Sequence, residues 1–161
     1  MDGKLAIDVA RLDGGGERFR GELDCSCLEM DGEKWIHPFG SVRYDVFVQV
    51  FGTEFTARGV LECDFDAVCS RCGGDFDFTC HADEFEVSEE IPAETEYFEL
   101  TNHIRECILL ALPNYPVCRE DCKGVCPKCG KNLNEGACPC ESEGSDDRWA
   151  ALEGFAAKEE R

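Results

Sequence analysis

The sequence predicts an α+β chain that is mainly antiparallel β, in a partly closed or barrel-like sheet, with one docked helix and a C-terminal cysteine-rich module. Three observations carry this prediction. Apolar residues alternate with polar ones in several long runs; a single stripe at helical spacing follows (Ile104, Cys107, Ile108, Ala111); and beyond Pro113 the composition turns to Cys, Gly, Pro and Lys, too poor in large apolar side chains to bury a core. The expected organisation is an antiparallel β domain over residues 1–113, its helix at about 102–111, and a module over 114–161 that ends in a short helix.

In chain order, Leu5, Ile7 and Val9 suggest a first strand, and the run Asp13-Gly14-Gly15-Gly16 a turn. Phe19, Gly21, Leu23, Cys25 and Cys27 alternate with Arg18, Arg20, Glu22, Asp24 and Ser26, the pattern of a half-buried strand from Phe19 to Cys27. The best hairpin follows. Val42, Tyr44, Val46, Val48 and Val50 occupy one face, Gly52-Thr53 offers a tight turn, and Phe55, Ala57, Gly59, Leu61, Cys63, Phe65 and Ala67 return in period two. A third long run places Phe76, Phe78, Cys80 and Ala82 on one face. The parity then shifts to Phe85 and Val87, as a bulge would make it.

Eight acidic and no basic residues lie between Asp83 and Glu99, and the second half of that stretch, around Pro92, reads as an exposed loop. Thr101 is the expected helix cap and Pro113 the stop. Near the end, Asp146-Asp147 precede a short stretch in which Trp149, Leu152 and Phe155 share a helical face.

The thirteen cysteines fall into two kinds. Cys25, Cys27, Cys63 and Cys80 continue apolar strand faces and Cys107 sits on the helical stripe, so these five read as small buried hydrophobes. A competing arrangement would join Cys63 and Cys80 to Cys69 and Cys72 in one local site. The other eight suffice for two four-thiolate sites. Cys69-Ser-Arg-Cys72 is a turn between strands; Cys126-Pro-Lys-Cys129-Gly130 resembles a zinc knuckle, whose turn aims backbone N–H groups at sulfur. Cys138 and Cys140 can close that knuckle after the loop through Asn132-Leu133-Asn134, which leaves Cys118 and Cys122 to pair with Cys69 and Cys72.

The metal sites expected are therefore Cys69, Cys72, Cys118 and Cys122 for one ion and Cys126, Cys129, Cys138 and Cys140 for the other, although swaps between neighbouring pairs would have the same composition. Two zinc ions are the expected cofactors, preferred to an iron–sulfur cluster because nothing in the chain suggests electron transfer. Four sulfurs around each ion leave no open coordination position, so the metals read as structural and the protein as no enzyme. A thioredoxin-like role for Cys69 and Cys72 is disfavoured because strands flank the pair on both sides. His37, His81 and His103 stand in no recognisable spacing with an acid or nucleophile.

The formal charge is −19 in 161 residues, a length that suits one domain with a small appended module. Two four-thiolate zinc centres would take it to about −23. A broad nucleic-acid-binding surface is disfavoured by that field, and a basic protein becomes the favoured partner. A local exception is the cluster of Arg71, Arg119, Lys123, Lys128 and Lys131 among the cysteines, which either balances the thiolates or touches a phosphate backbone. The N-terminus shows no basic run leading into an apolar stretch, no segment approaches membrane-spanning length, and so many thiols suit the reducing cytosol, so a cytoplasmic location is expected.

The order of these features resembles the YceD family of large ribosomal RNA subunit accumulation proteins. The matching pieces are Cys69-Ser-Arg-Cys72-Gly after a strand and Leu109-Leu-Ala-Leu-Pro113 closing a helix. They continue with Cys118-x3-Cys122-Lys-Gly-x-Cys126-Pro-x-Cys129-Gly-x-Asn132-Leu-Asn134 and end with Asp147-Arg-x-x-x-Leu152. Gly73 stands where the family pattern commonly has leucine. The resemblance implies a non-enzymatic ribosome-biogenesis factor that promotes accumulation or processing of large-subunit (23S) rRNA, acting as a zinc-stabilised adaptor. Its partner would be a ribosomal protein or large-subunit assembly intermediate, with local rRNA contact through Arg71, Lys123, Lys128 and Lys131. The alternatives are a generic zinc-ribbon interaction module of the transcription type and, behind it, a thiol oxidoreductase.

Overall fold

The computed structural model describes residues 4–12 and 14–140. The expected C-terminal helix with Trp149, Leu152 and Phe155 lies outside the described residues. The chain divides into two compact units, Met1–Cys122 and Lys123–Arg161. None of the described helices is long and apolar enough to cross a membrane.

The first unit is built on a four-stranded antiparallel sheet. Its strands are β2 (Glu17–Asp24), β3 (Ile36–Phe51), β4 (Glu54–Val68) and β5 (Asp75–Glu90), in spatial order β2-β3-β4-β5. A second, two-stranded sheet pairs β1 (Ala6–Asp8) with β6 (Tyr97–Glu99). Among the described residues one α-helix, α1 (Thr101–Ala111), completes it.

Alternation explains the long strands. Along β4, Phe55, Ala57, Leu61, Cys63, Phe65 and Ala67 are all buried, and they meet Val42, Val46 and Val48 of β3 and Cys80, Ala82, Phe85 and Val87 of β5. Gly52-Thr53 makes the two-residue β3–β4 hairpin, with Gly52 at φ +64°, a conformation that costs glycine little. The parity shift seen in the sequence is a bulge: Asp83 and Glu84 together oppose Val60, between the pairs Gly59–Phe85 and Leu61–Ala82. Pro38 lies in β3 beyond the reach of β2, whose last partner is Ser41, so its missing N–H costs no ladder bond on that side.

The apolar face is covered by Ile104 and Ile108 of α1 together with Ile7, Leu28, Ile91 and Leu100. The sheet is therefore not closed. A barrel would need β2 to pair with β5, whereas here α1, the short sheet and the connecting segments take up the buried face while β2 and β5 remain edges. On the opposite face Arg43 donates to Asp64 at 2.7 Å and to Glu62 at 3.2 Å, and Arg18 and Arg20 both reach Asp45. Arg18 beside Asp45 and Arg43 beside Asp64 hold those carboxyls below their ordinary range.

Three expectations need correction. The run from Phe19 to Cys27 is not one strand: β2 ends at Asp24, whose carboxylate accepts the Ser26 N–H, and Cys25–Leu28 turn into a 3-10 helix closed by Glu29 at φ +53°. The second half of the acidic stretch is not all loop, because Ile91 is buried and Tyr97–Glu99 pair with β1 across the chain. Thr101 is not the helix cap; it is the first helical residue, and its buried Oγ1 accepts the Leu5 N–H at 2.9 Å. On the helix itself Ile104 and Ile108 are buried, while Ala111 is exposed.

The described part of the second unit, residues 123–140, has one isolated antiparallel bridge, Val125 to Asn132, and no regular element. Only Gly124 and Cys126 are buried in it. Apolar packing among these described residues cannot account for their order.

Candidate metal centres

The first centre stands at the tip of the β4–β5 hairpin. The inward parity of β4 continues past its end from Phe65 and Ala67 to Cys69, which is 2% exposed. Residues 69–74 close the hairpin: the Cys69 N–H donates to the Gly74 carbonyl at 2.8 Å and the Gly73 N–H to the Cys69 carbonyl at 2.9 Å. Gly73 has φ +68°, so glycine here relieves the strain that a leucine would carry.

The segment before Cys122 is bonded to this tip within the same unit. The Ser70 N–H donates to the Pro116 carbonyl at 2.8 Å, and the Arg71 guanidinium to the carbonyls of Glu120 (2.9 Å) and Cys122 (3.3 Å). These contacts bring Cys118 and Cys122 to the CxxC turn. The sulfurs of Cys69 and Cys122 are 3.8 Å apart and those of Cys72 and Cys118 3.9 Å, and all four lie within 4.8 Å of one another. The Cys118 N–H points at the Cys69 sulfur from 3.4 Å.

The second centre lies wholly within the second unit. Cys126 donates its N–H to the Lys131 carbonyl and its carbonyl accepts the Gly130 N–H, both at 2.8 Å, with Gly130 at φ +72°. Asn134 Oδ1 accepts the Lys123 N–H at 2.9 Å, and Asn132 Oδ1 accepts the Asn134 N–H at 3.0 Å, which fixes the loop leading to Cys138. The sulfurs of Cys126, Cys129, Cys138 and Cys140 again lie within 4.8 Å of one another, with Cys129 and Cys138 at 3.3 Å and the Cys140 N–H on the Cys138 sulfur at 3.4 Å. The two asparagines are positioning residues that cysteine spacing alone did not reveal; their signal was an Asn-x-Asn loop between ligand pairs.

Each group of four sulfurs fits a tetrahedral ion. Metal–sulfur bonds of ~2.3 Å put tetrahedral ligands about 3.8 Å apart, close to the observed separations. Burial pushes the Cys69 thiol up, but N–H groups of Cys118, Cys72 and Arg71 outweigh it and bring the thiol down to about 6. N–H groups of Cys129 and Lys128 likewise hold Cys126 at about 6. Their neighbours move the other way: burial and the adjoining Cys122 sulfur push Cys118 up to about 12, and the Cys138 and Cys129 sulfurs push Cys140 up to about 12. Without a cation, four thiolates repel one another. With one, that repulsion is offset, which is what a divalent metal supplies.

The other cysteines sit apart from these groups. Cys63 and Cys80 are buried register partners across β4 and β5, and burial pushes Cys63 up to about 12 and Cys80 and Cys107 above the ordinary thiol range. Cys25 and Cys27 lie half-buried in the 3-10 turn. Several cations have local work. Arg71 holds carbonyls of the first centre, Arg119 pairs with Asp121 at 3.3 Å, and Lys131 donates to the Ala137 carbonyl at 2.9 Å. His81 lies 3.3 Å from Glu62, and His103 stacks on Phe98 and lies 3.4 Å from Glu89.

A family model described as "Large ribosomal RNA subunit accumulation protein YceD" matches residues 57–156, a stretch that holds all eight cysteines of the two centres. An Arabidopsis thaliana protein named "Large ribosomal RNA subunit accumulation protein YCED homolog 1, chloroplastic" is 36% identical over 61 residues, 38% of this chain and 19% of that protein. The Zea mays protein of the same name is 39% identical over 51 residues, 31% of this chain and 17% of its own length. An uncharacterized Mycobacterium tuberculosis (strain H37Rv) protein is 42% identical over 57 residues, 35% of this chain and 27% of its own. The chain thus spans between 17% and 27% of the length of these relatives. No solved structure matches it. Matched over more than half its length, through the cysteine-bearing hairpin and the knuckle that follows, this chain belongs to the YceD family.

Proposed function

We propose that the chain is a zinc-stabilised, non-enzymatic adaptor in large-ribosomal-subunit biogenesis that promotes accumulation or processing of 23S-type rRNA. Family membership carries this reading, and the paired four-sulfur groups supply its physical form. Each group would hold one zinc ion: Cys69, Cys72, Cys118 and Cys122 the first, Cys126, Cys129, Cys138 and Cys140 the second. The ions order the hairpin tip and the knuckle. With all four positions taken by sulfur, neither ion can activate water or substrate.

The favoured partner is a basic ribosomal protein, free or within an assembly intermediate of the large subunit, because a chain of formal charge −19 repels phosphate and attracts lysine-rich surfaces. Local rRNA contact through Arg71, Lys123, Lys128 and Lys131 is the competing mode. Sedimentation of tagged protein with ribosomal particles separates the two. Attachment through a protein survives the triple variant K123Q/K128Q/K131Q and declines gradually with salt; attachment through RNA is lost in that variant and falls steeply with salt. Co-purification with RNA polymerase in place of large-subunit particles would overturn the ribosomal reading in favour of a transcription-type zinc-ribbon module.

A further inference from the structure

The order β2-β3-β4-β5 leaves one edge of β5 open, and among the described residues no backbone bond outside the β4–β5 ladder reaches Asp75–Glu90. Helix α1, packed on the apolar face, contacts β5. Between them lies a groove of about 610 Å³ lined by residues 81–87 of β5 and by His103, Glu106, Cys107, Leu110 and Ala111 of α1. Ala82, Phe85 and Val87 at its floor are already buried in the core, so the apolar surface it offers a partner is that of Ala111 and of Leu110, which is 87% exposed. An open strand edge presents unpaired N–H and C=O groups with which another chain can pair.

The chemistry around the groove selects the occupant. Asp83, Glu84, Glu86 and Glu106 line it, and the bulge places two of these carboxylates side by side at the middle of the edge. Glu86 is paired with Arg58 at 3.2 Å, and both histidines of the groove already face other carboxylates, Glu62 and Glu89. A second copy of the chain would set the same carboxylates against themselves, in a molecule already at −19. A cationic strand meets the opposite sign and the unused backbone groups together.

We propose that the groove between the β5 edge and α1 binds a basic, extended segment of a partner protein, which adds to the sheet as a strand beside residues 81–87. Alternate apolar side chains of the segment pack toward Leu110 and Ala111, and its lysines or arginines meet the rim carboxylates; this is strand addition, with the side chains along the groove giving specificity. Seven strand residues span roughly 20 Å. The proposal rests on the reading of a basic protein partner and gives that partner a docking site.

The test uses the full chain and a peptide of four Lys-Val repeats, followed by amide chemical shifts and by fluorescence anisotropy. Shifts are expected in residues 81–87 and 103–111. Reversing two exposed charges, E84K/E106K, should weaken binding about tenfold, since each exposed pair turns from attraction to repulsion. N-methylation of alternate peptide amides, which blocks one hydrogen-bonding edge, should abolish it. Absent binding, equal binding by the methylated peptide or by the charge-reversed chain, or shifts that map elsewhere would each overturn the proposal. These outcomes leave wild-type co-sedimentation with large-subunit particles untouched, so the groove and the ribosomal role can fail separately.

Discussion

At the scale of single residues, two positions in the first unit carry more than their size suggests. A Cβ on Gly59 would collide with the Asp45 carbonyl oxygen and lie 2.7 Å from the Val46 Cα, both backbone atoms of β3. Gly59→Ala should therefore destabilise the chain by about 1–3 kcal/mol, read as a lower urea midpoint, because a ladder backbone cannot step aside as a side-chain tip can. Thr101 joins the start of α1 to the chain leading into β1 through the Leu5 N–H. Thr101→Val keeps the shape and removes the acceptor, with an expected loss of about 1–2 kcal/mol and faster exchange of the Leu5 amide, whereas Thr101→Ser should restore both. The cysteines divide just as sharply: Cys72→Ser should lower the bound metal by one ion per chain, and Cys80→Ala should leave it unchanged, as elemental analysis of each variant would show.

At the scale of elements, the two cysteine turns are prepared for a cation by their own backbone. In the folded turns, before any cation is bound, backbone N–H groups bring Cys69 and Cys126 down to about 6 against an ordinary 9.0. A folded-state value below the unfolded one favours the fold fully above pH 9 and loses that contribution as pH falls toward 6. Cys118 and Cys140, pushed up to about 12, act in the opposite sense above pH 9, but below it only the lowered thiols titrate. Protons compete with metal for all of these sulfurs, so both effects have one sign there. Metal release to a coloured chelator should be slight near pH 8 and rise as the pH is lowered through about 6. Release that increased with pH would contradict the thiolate sites.

At the scale of the whole molecule, the two units are stabilised differently. The first has an apolar core running along β3, β4 and β5; the described part of the second buries only Gly124 and Cys126. A structural zinc contributes on the order of 10 kcal/mol, enough to order a short segment without a core. Chelation should therefore abolish amide protection over residues 123–140, while β3 and β4 retain theirs. Equal protection before and after chelation would mean that something other than metal orders the knuckle.

Much of this was legible in the chain because it depends on neighbours in sequence. Period-two alternation set the faces of β3, β4 and β5, the parity break at Phe85 marked the bulge, and the spacing of Cys126, Cys129, Cys138 and Cys140 grouped sulfurs that local turns can gather. Tertiary contacts decided what local pattern leaves open. Tyr97–Glu99 become a strand only because β1, some ninety residues earlier, supplies its partner, and Cys25–Leu28 leave the strand their alternation suggested because Asp24 caps a turn. The sheet stays open because α1 and its neighbours cover the face that closure would have buried. Alternation records which side of a strand is apolar; what comes to lie against that side, or along its edge, depends on segments brought from far along the chain.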